Sequence, residues 1–139
     1  MKVFVDTNII IDFITARIPF GRNAKILFEL GKEKKFDILV ADLSFFTSAY
    51  SLKKYDFSKE DIFDCLTALL PLVTIVTVGE TVVTRSLLKR GKDFEDDAQY
   101  FSAVSAGADY IITRNKKDFP QEDFILEPKE FFKLMNIEA

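Results

Sequence analysis

The sequence predicts a three-layer α/β/α fold with a mostly parallel central sheet of four to five strands. Short runs of β-branched and other apolar residues alternate with helix-like segments along the whole chain, a pattern typical of parallel sheets covered by helices on both faces. Residues that favour turns and helix caps separate most of these segments. The 139 residues fit one domain, and we find no repeat, linker or low-complexity segment. Residues 1–139 are therefore predicted to form a single domain.

The individual elements are predicted from periodicity and from the residues that interrupt it. Strands, which are short and apolar, are expected at residues 3–5, 36–40, 73–76, 110–112 and, at the sheet edge, 124–126. Helices, which carry apolar residues on one face, are expected at about residues 7–16, 22–34, 44–54, 58–70, 80–90, 94–106 and 128–135. Residues 113–120 are expected to form an irregular loop.

Composition excludes several kinds of chemistry. The chain has no His and a single Cys, Cys65, so intrachain disulfides, Ser–His triads, His-based acid–base catalysis and Cys/His zinc clusters are excluded. A metal site would have to use oxygen ligands, which favours Mg²⁺, Mn²⁺ or Ca²⁺.

Charge and hydropathy bear on partners and location. The net charge of −3 weighs against strong nonspecific binding of nucleic acid but is compatible with a nuclease whose acidic site holds metal. The N-terminus lacks a signal-peptide pattern, and the apolar runs are shorter than the ~18–20 residues of a membrane span. We therefore expect a soluble protein in a reducing, cytoplasmic setting. The 15 Phe residues should mostly form core, and part of them is a candidate surface for a homodimer or another partner.

The first candidate site residue, Asp6, follows the first predicted strand. The apolar run Val3-Phe4-Val5 ends at Asp6-Thr7-Asn8, and a segment with helical periodicity comes next. Ligands of open α/β sheets bind at the carboxyl ends of strands, so Asp6 can reach a cleft from a rigid backbone position. The alternative is that Asp6 and Asn8 only cap the first helix.

A second acidic segment, Asp93-Phe94-Glu95-Asp96-Asp97, opens the helix before the fourth strand. Compensation of the helix dipole accounts for one or two of these four carboxylates. Asp93 and Asp96 share a helix face, and a divalent cation would relieve their repulsion. Asp118, in the loop after the fourth strand, adds another carboxylate, which favours metal binding over capping alone. The solvent-exposed face of the same helix is expected to carry Glu95, Gln99 and Ser102.

Three motifs, in this order, resemble those of a PIN domain. They are Asp6-Thr7-Asn8, Asp93-Phe94-Glu95-Asp96 and the strand and loop of residues 108–119, ADYIITRNKKDF. Together they span the whole chain, and the closing segment EPKEFF at residues 127–132 also fits. The chain looks like the bacterial PIN proteins that act as toxins of toxin–antitoxin pairs.

The resemblance implies a metal-dependent ribonuclease in which clustered carboxylates hold Mg²⁺ or Mn²⁺. Asp6 is expected to be the central ligand and Asp96 the acid of the third motif, with Asp97 as the alternative register. The last acidic position falls on Asp118 or Asn115. Asp6, Asp96 and Asp118 are thus the expected catalytic and metal-binding residues.

The resemblance also implies supporting groups and partners. Arg114 and Lys116 border the expected site and are candidates for phosphate contacts, although a basic residue is often only a solvated charge. An RNA substrate and an antitoxin protein are the expected partners. The expected supporting residues are Asn8, Asp93, Thr113 and Asn115.

One position departs from the family pattern. PIN nucleases usually carry a Glu in the helix after the second strand, and here that position is Thr47. A hydroxyl is a neutral and weaker ligand, so the missing Glu counts against the binding of a second metal ion and against activity. Asp42 is an alternative source of the carboxylate, although capping of the helix explains it more simply.

Two other functions are compatible with the sequence. A PIN fold with an incomplete acidic site would serve as a protein- or RNA-binding module, and stabilisation by Mn²⁺ would separate a nuclease from it. A phosphoryl-transfer protein with Asp6 as nucleophile usually has a second Asp two residues later, where this chain has Asn8.

Overall fold

The computed structural model describes residues 1–138 and has the predicted three-layer architecture. The strands lie in the order β3-β2-β1-β4-β5, and all neighbouring pairs are parallel. The prediction of a parallel sheet is thus confirmed, with five strands in the described part of the chain. They are β1 (Lys2–Val5), β2 (Asp37–Ala41), β3 (Thr74–Val76), β4 (Tyr110–Ile112) and β5 (Ile125–Leu126).

The helices between the strands cover both faces of the sheet. Short 3₁₀ turns occur at Lys53–Tyr55, Leu70–Leu72 and Lys116–Asp118. Within residues 1–138, no helix is long and apolar enough to cross a membrane. The α-helices are α1 (Thr7–Thr15), α2 (Gly21–Lys32), α3 (Asp42–Leu52), α4 (Lys59–Leu69), α5 (Gly79–Lys89), α6 (Phe94–Ser105) and α7 (Pro128–Leu134).

Two local differences from the predicted elements have simple causes. Helix α3 begins at Asp42 rather than Ser44, because Ala41 already has the extended backbone of an N-cap residue (φ −72°, ψ 144°) and β2 runs directly into the helix. The predicted loop at residues 113–120 contains a 3₁₀ turn, in which the Asp118 backbone N–H donates to the Asn115 carbonyl oxygen at 2.9 Å.

Strand β1 is the centre of the core because its side chains are buried on both faces of the sheet. Val3 and Val5 belong to a cluster that includes Phe28 of α2. Phe4 points the opposite way, into a cluster that includes Ala103 of α6. This alternation follows from the two-residue period of a strand, and burial of both faces is typical of parallel sheets.

The carboxyl end of β1 lies at the switch point of the sheet. β2 lies on one side of β1 and β4 on the other, and Val5 is in register with Ile112. The Asp6 backbone N–H donates to the Ile112 carbonyl oxygen at 3.0 Å. Because crevices form where the strand order reverses, the residues that follow β1 and β4, Asp6 and Thr113, enter the same crevice.

Candidate functional site

Asp6 is the buried centre of the candidate site. Its side chain is 2% exposed. The Thr113 hydroxyl donates to Asp6 Oδ2 at 2.8 Å, and the Gln99 side-chain amide donates to Asp6 Oδ1 at 3.1 Å. Burial raises the pKa of Asp6 above its ordinary value, and these hydrogen bonds partly offset the effect. Asp6 is therefore a rigidly held carboxylate whose negative charge is destabilised by its surroundings.

Both donors to Asp6 are themselves held in place. The Asn115 backbone N–H donates to Thr113 Oγ1 at 3.0 Å, which leaves the hydroxyl proton of Thr113 for Asp6. The Thr7 backbone N–H donates to Gln99 Oε1 at 3.0 Å, so the nitrogen end of the Gln99 amide faces Asp6. Thus β4, α1 and α6 together fix the direction of one carboxylate.

The N-terminus of α6 brings further carboxylates to this crevice. Asp93 caps the helix, since its Oδ1 accepts from the Asp96 backbone N–H at 2.9 Å. Asp96 is half-buried, and its pKa is raised from 3.8 to about 7. Desolvation is the largest cause, followed by repulsion from the charges of Asp6, Asp93, Asp118 and Glu95. These side chains therefore share one electrostatic environment around Asp96.

Asp97 belongs to a different contact from Asp96. Its side chain is buried, and Lys89 Nζ donates to Asp97 Oδ1 in an ion pair between α5 and α6. A Cβ atom at Gly91 would collide with the Asp97 carboxylate, so the turn between these helices also depends on this packing. Of the two adjacent acids, Asp96 is the one whose charge is coupled to Asp6.

The prediction of a solvent-exposed face containing Glu95, Gln99 and Ser102 is wrong. Gln99 and Ser102 are 1% and 0% exposed, and Glu95 is half-buried. Helix α6 packs this face toward the sheet and α1, which also buries Ala98. Gln99 could have been recognised from its spacing, because it lies three residues after Asp96 and so shares its side of the helix.

Glu95 is half-buried in the first turn of α6. Burial is the main cause that raises its pKa, and the charges of Asp93 and Asp6 add to it. Hydrogen bonding to the hydroxyls of Thr47 and Thr7 acts in the opposite direction. Thr47, which stands where the family pattern has a Glu, is thus near enough to Glu95 to influence its pKa.

Asp42, the alternative source of that carboxylate, is engaged elsewhere. Its Oδ1 accepts from the backbone N–H groups of Leu43 at 2.7 Å and Val78 at 3.3 Å. These contacts stabilise the first turn of α3 and tie it to the segment before α5.

Of the other predicted residues, Asn8 is half-buried in the first turn of α1, and Asp118 is exposed at the end of its 3₁₀ turn.

The two candidates for phosphate contacts are engaged in ion pairs. Arg114 Nε donates to Asp12 Oδ2 at 2.8 Å, and its guanidinium lies 4.1 Å from the centre of the Phe20 ring. Asp12 is 1% exposed and also accepts from Arg17 Nε at 2.7 Å. Arg114 thus anchors the loop after β4 to α1. Lys116 pairs with Glu130 at 3.1 Å. A single Asp inside the apolar segment of α1 was the sequence signal for the buried pair of Asp12 with Arg114.

The donor chemistry of the crevice fits a hard divalent cation. Every candidate ligand is an oxygen, and several negative charges lie close enough to repel one another. Among residues 1–138, no three acidic side chains already enclose a position that would suit a metal ion. Mg²⁺ usually keeps several waters and uses only one or two carboxylates, so such a cation would fit without a complete protein cage.

The fold and the site can now be compared with those of known proteins. Both the parallel sheet and the acidic crevice at its switch point fit a PIN domain. A family model described as PIN domain matches residues 2–117. The chain belongs to the PIN domain family.

Individual relatives show the same similarity over nearly full length. Ribonuclease VapC1 of Aquifex aeolicus is 26% identical over 140 residues, which cover 97% of this chain and 96% of the relative. A structure titled as a toxin–antitoxin complex from Klebsiella pneumoniae matches with a TM-score of 0.69 and 23% identity, covering 91% of this chain and 97% of the other. VapC20 of Mycobacterium tuberculosis, titled a sarcin–ricin loop cleaving toxin, matches with a TM-score of 0.62 and 16% identity over 88% and 92% of the two chains.

The buried ion pair of Asp12 should contribute measurably to stability. We expect Asp12→Asn to lower the free energy of unfolding by about 2 kcal/mol, because it leaves two partly buried guanidinium groups without their carboxylate. The control is Glu29→Gln, which breaks an exposed pair with Lys25 and should cost less than about 0.5 kcal/mol. Chemical denaturation measures both variants. Equal losses would show that the Asp12 pair does not anchor the loop.

The raised pKa of Asp96 predicts a pH dependence of stability in metal-free protein. The folded state holds a proton on Asp96 up to about pH 7, whereas the ordinary pKa is 3.8. The native state therefore binds more protons, and the stability contribution of Asp96 falls as pH rises from about 4 to 7. Between pH 5 and pH 8 in EDTA, the free energy of unfolding of wild type should fall by on the order of 1 kcal/mol more than that of Asp96→Asn. The difference is small because the Asp96 carboxyl is half-exposed. Parallel pH profiles of the two proteins would contradict this.

Proposed function

We propose that this protein is a metal-dependent endoribonuclease of the toxin type. The observation that carries the proposal is the group of carboxylates around Asp96 at the carboxyl edge of the sheet, where burial and then the charges of its neighbours raise the pKa of Asp96 to about 7. Such crowding is costly in a purely structural site and is expected where a cation binds. The full-length similarity to a protein named ribonuclease VapC1 supports RNA as the substrate.

The residues proposed to hold the cation are Asp6, Asp96 and Asp118. The oxygen donors suit Mg²⁺ or Mn²⁺, and Asp93 and Asn8 border the same crevice. When bound, a divalent ion supplies a water of lowered pKa as nucleophile and neutralises charge at the scissile phosphate. Since the chain has no His, none of its side chains offers the usual alternative base.

The chain itself orients the site and bears its charge. Thr113 and Gln99 hold the two oxygens of Asp6 in fixed directions, so a ligand of Asp6 has a defined position. The concentrated negative charge would repel an RNA phosphate in the absence of a cation. Both the binding of substrate and the chemical step should therefore depend on metal.

The proposed partners are an RNA substrate and an antitoxin protein, and the proposed location is the cytoplasm, where RNA is available. A related fold in a toxin–antitoxin complex supports the protein partner. Phe46 and Tyr50 of α3 and Phe63 of α4 are 78%, 64% and 55% exposed. Exposed aromatic side chains of this kind suit an interface, either with an antitoxin or in a homodimer.

Cleavage of labelled RNA tests the proposal. We expect wild type to cleave in the presence of Mg²⁺ or Mn²⁺ and to stop in EDTA. Asp6→Asn should reduce the rate at least about 100-fold, since even loss of an outer-shell partner of a metal costs about 10–100-fold. The control is Glu60→Gln, which removes an exposed acid from the first turn of α4 and should leave the rate unchanged.

Two outcomes would contradict the proposal. Cleavage that persists in EDTA would exclude a metal-dependent mechanism. Equal activity of wild type and Asp6→Asn, with both proteins folded by circular dichroism, would show that any cleavage comes from another site or from a contaminant.

A further inference from the structure

A surface groove lies between the first turn of α2 and helix α7. Its inner and outer parts are continuous, because Pro19, Asn23 and Lys129 line both of them. The outer part has a volume of about 610 Å³, which is within the range of known ligand sites. We call this feature the α2–α7 groove.

The outer part of the groove is basic. Arg22, Lys129 and Lys133 are exposed on its walls, and none of its lining residues within 1–138 is acidic. In the same part of the chain, none of these three cations forms an ion pair. Acidic residues outnumber basic ones in the sequence, 22 to 19, so a random surface of this size would carry both signs.

This clustering of positive charge has a cost. Lys129 and Lys133 are four residues apart on α7, a spacing at which like charges destabilise a helix. Solvated lysines scattered over a surface avoid that repulsion, whereas a bound polyanion offsets it. The outer part of the groove is therefore suited to phosphate groups.

The inner part of the groove connects it to the candidate site. Arg114 lines this part and directly follows Thr113, whose hydroxyl donates to Asp6 at 2.8 Å. The Arg114 guanidinium lies 4.1 Å from the centre of the Phe20 ring and is held by Asp12 at 2.8 Å. The Phe20 side chain also lines this part and is 38% exposed. Unpaired bases stack on aromatic rings and guanidinium groups of this kind.

We propose that the α2–α7 groove binds single-stranded RNA beyond the cleaved bond, with a base stacked at Phe20 and phosphates at Arg22, Lys129 and Lys133. The inference deepens the proposed function and rests on it. A single strand is favoured over a duplex because stacking on a side chain requires an unpaired base. An acidic peptide would match the charge of the groove but would make no use of the exposed ring.

Cleavage of a long and a short single-stranded RNA in Mn²⁺ tests the inference. A substrate of about 15 nucleotides can extend from the crevice into the groove, whereas one of about three is shorter than typical single-strand sites. Wild type should therefore have a higher kcat/KM for the long RNA. The ratio of the two kcat/KM values measures the contribution of the groove.

Two variants of the groove should lower this ratio in different ways. The triple variant Arg22→Gln, Lys129→Gln, Lys133→Gln should lower it at least about tenfold and make the dependence of log kcat/KM on log salt shallower by about 2, because each phosphate contact of a single strand contributes about 0.7 to that slope. Phe20→Leu, which removes the ring but keeps an apolar side chain, should lower the ratio about fivefold or more through lost stacking and leave the salt slope unchanged.

The matched control is the triple variant Lys32→Gln, Lys35→Gln, Lys53→Gln. It removes the same charge from exposed positions near the C-terminal ends of α2 and α3, away from the groove, and should keep the ratio of wild type. Equal losses in the two triple variants would show general electrostatic attraction and overturn the inference.

The remaining outcomes separate this inference from the proposed function. If the groove variants keep the ratio of wild type, the groove does not bind the substrate, while the proposed function stands because wild type still cleaves. If, in addition, polyglutamate binds wild type but not the triple groove variant, the occupant is an acidic peptide. If wild type cleaves neither RNA in Mn²⁺, both proposals fail together.

Discussion

Burial of the Asp6 carboxylate is the constraint on which the rest of the site depends. The side chain ends the central strand and is 2% exposed, so its oxygens require partners from the elements around it. Thr113 after β4 and Gln99 of α6 supply them. Gln99 also fixes how α6 lies against α1, and the N-terminus of α6 then brings its carboxylates to the same crevice. One buried charge thereby links strand order, helix placement and the acidic character of the site.

The fold and the strand-end carboxylate could be predicted from sequence because both are local patterns. Alternating strands and helices imply the parallel sheet, and the position of Asp6 after an apolar strand implies its place at the sheet edge. The faces of α6 could not be assigned in the same way. Its exposed and buried polar residues look alike in sequence, since Gln99 is buried by contacts with residues more than 90 positions away. Arg114 similarly pairs with Asp12 across 102 positions.

The neutral Thr47 in place of an acid motivated the alternative hypothesis of a binding module. The family match over residues 2–117 and the full-length similarity to a protein named ribonuclease VapC1 favour a ribonuclease over that alternative.

Anomalous diffraction from crystals soaked in Mn²⁺ tests the central claim most directly, because it locates the ion without reference to activity. We predict a Mn²⁺ peak in the crevice, with an oxygen of Asp6 and at least one carboxylate of α6 within about 2.0–2.6 Å. A well-ordered crevice with no peak, or Mn²⁺ bound only at other residues while Asp6 keeps just its contacts with Thr113 and Gln99, would contradict the assignment of this crevice as a metal site.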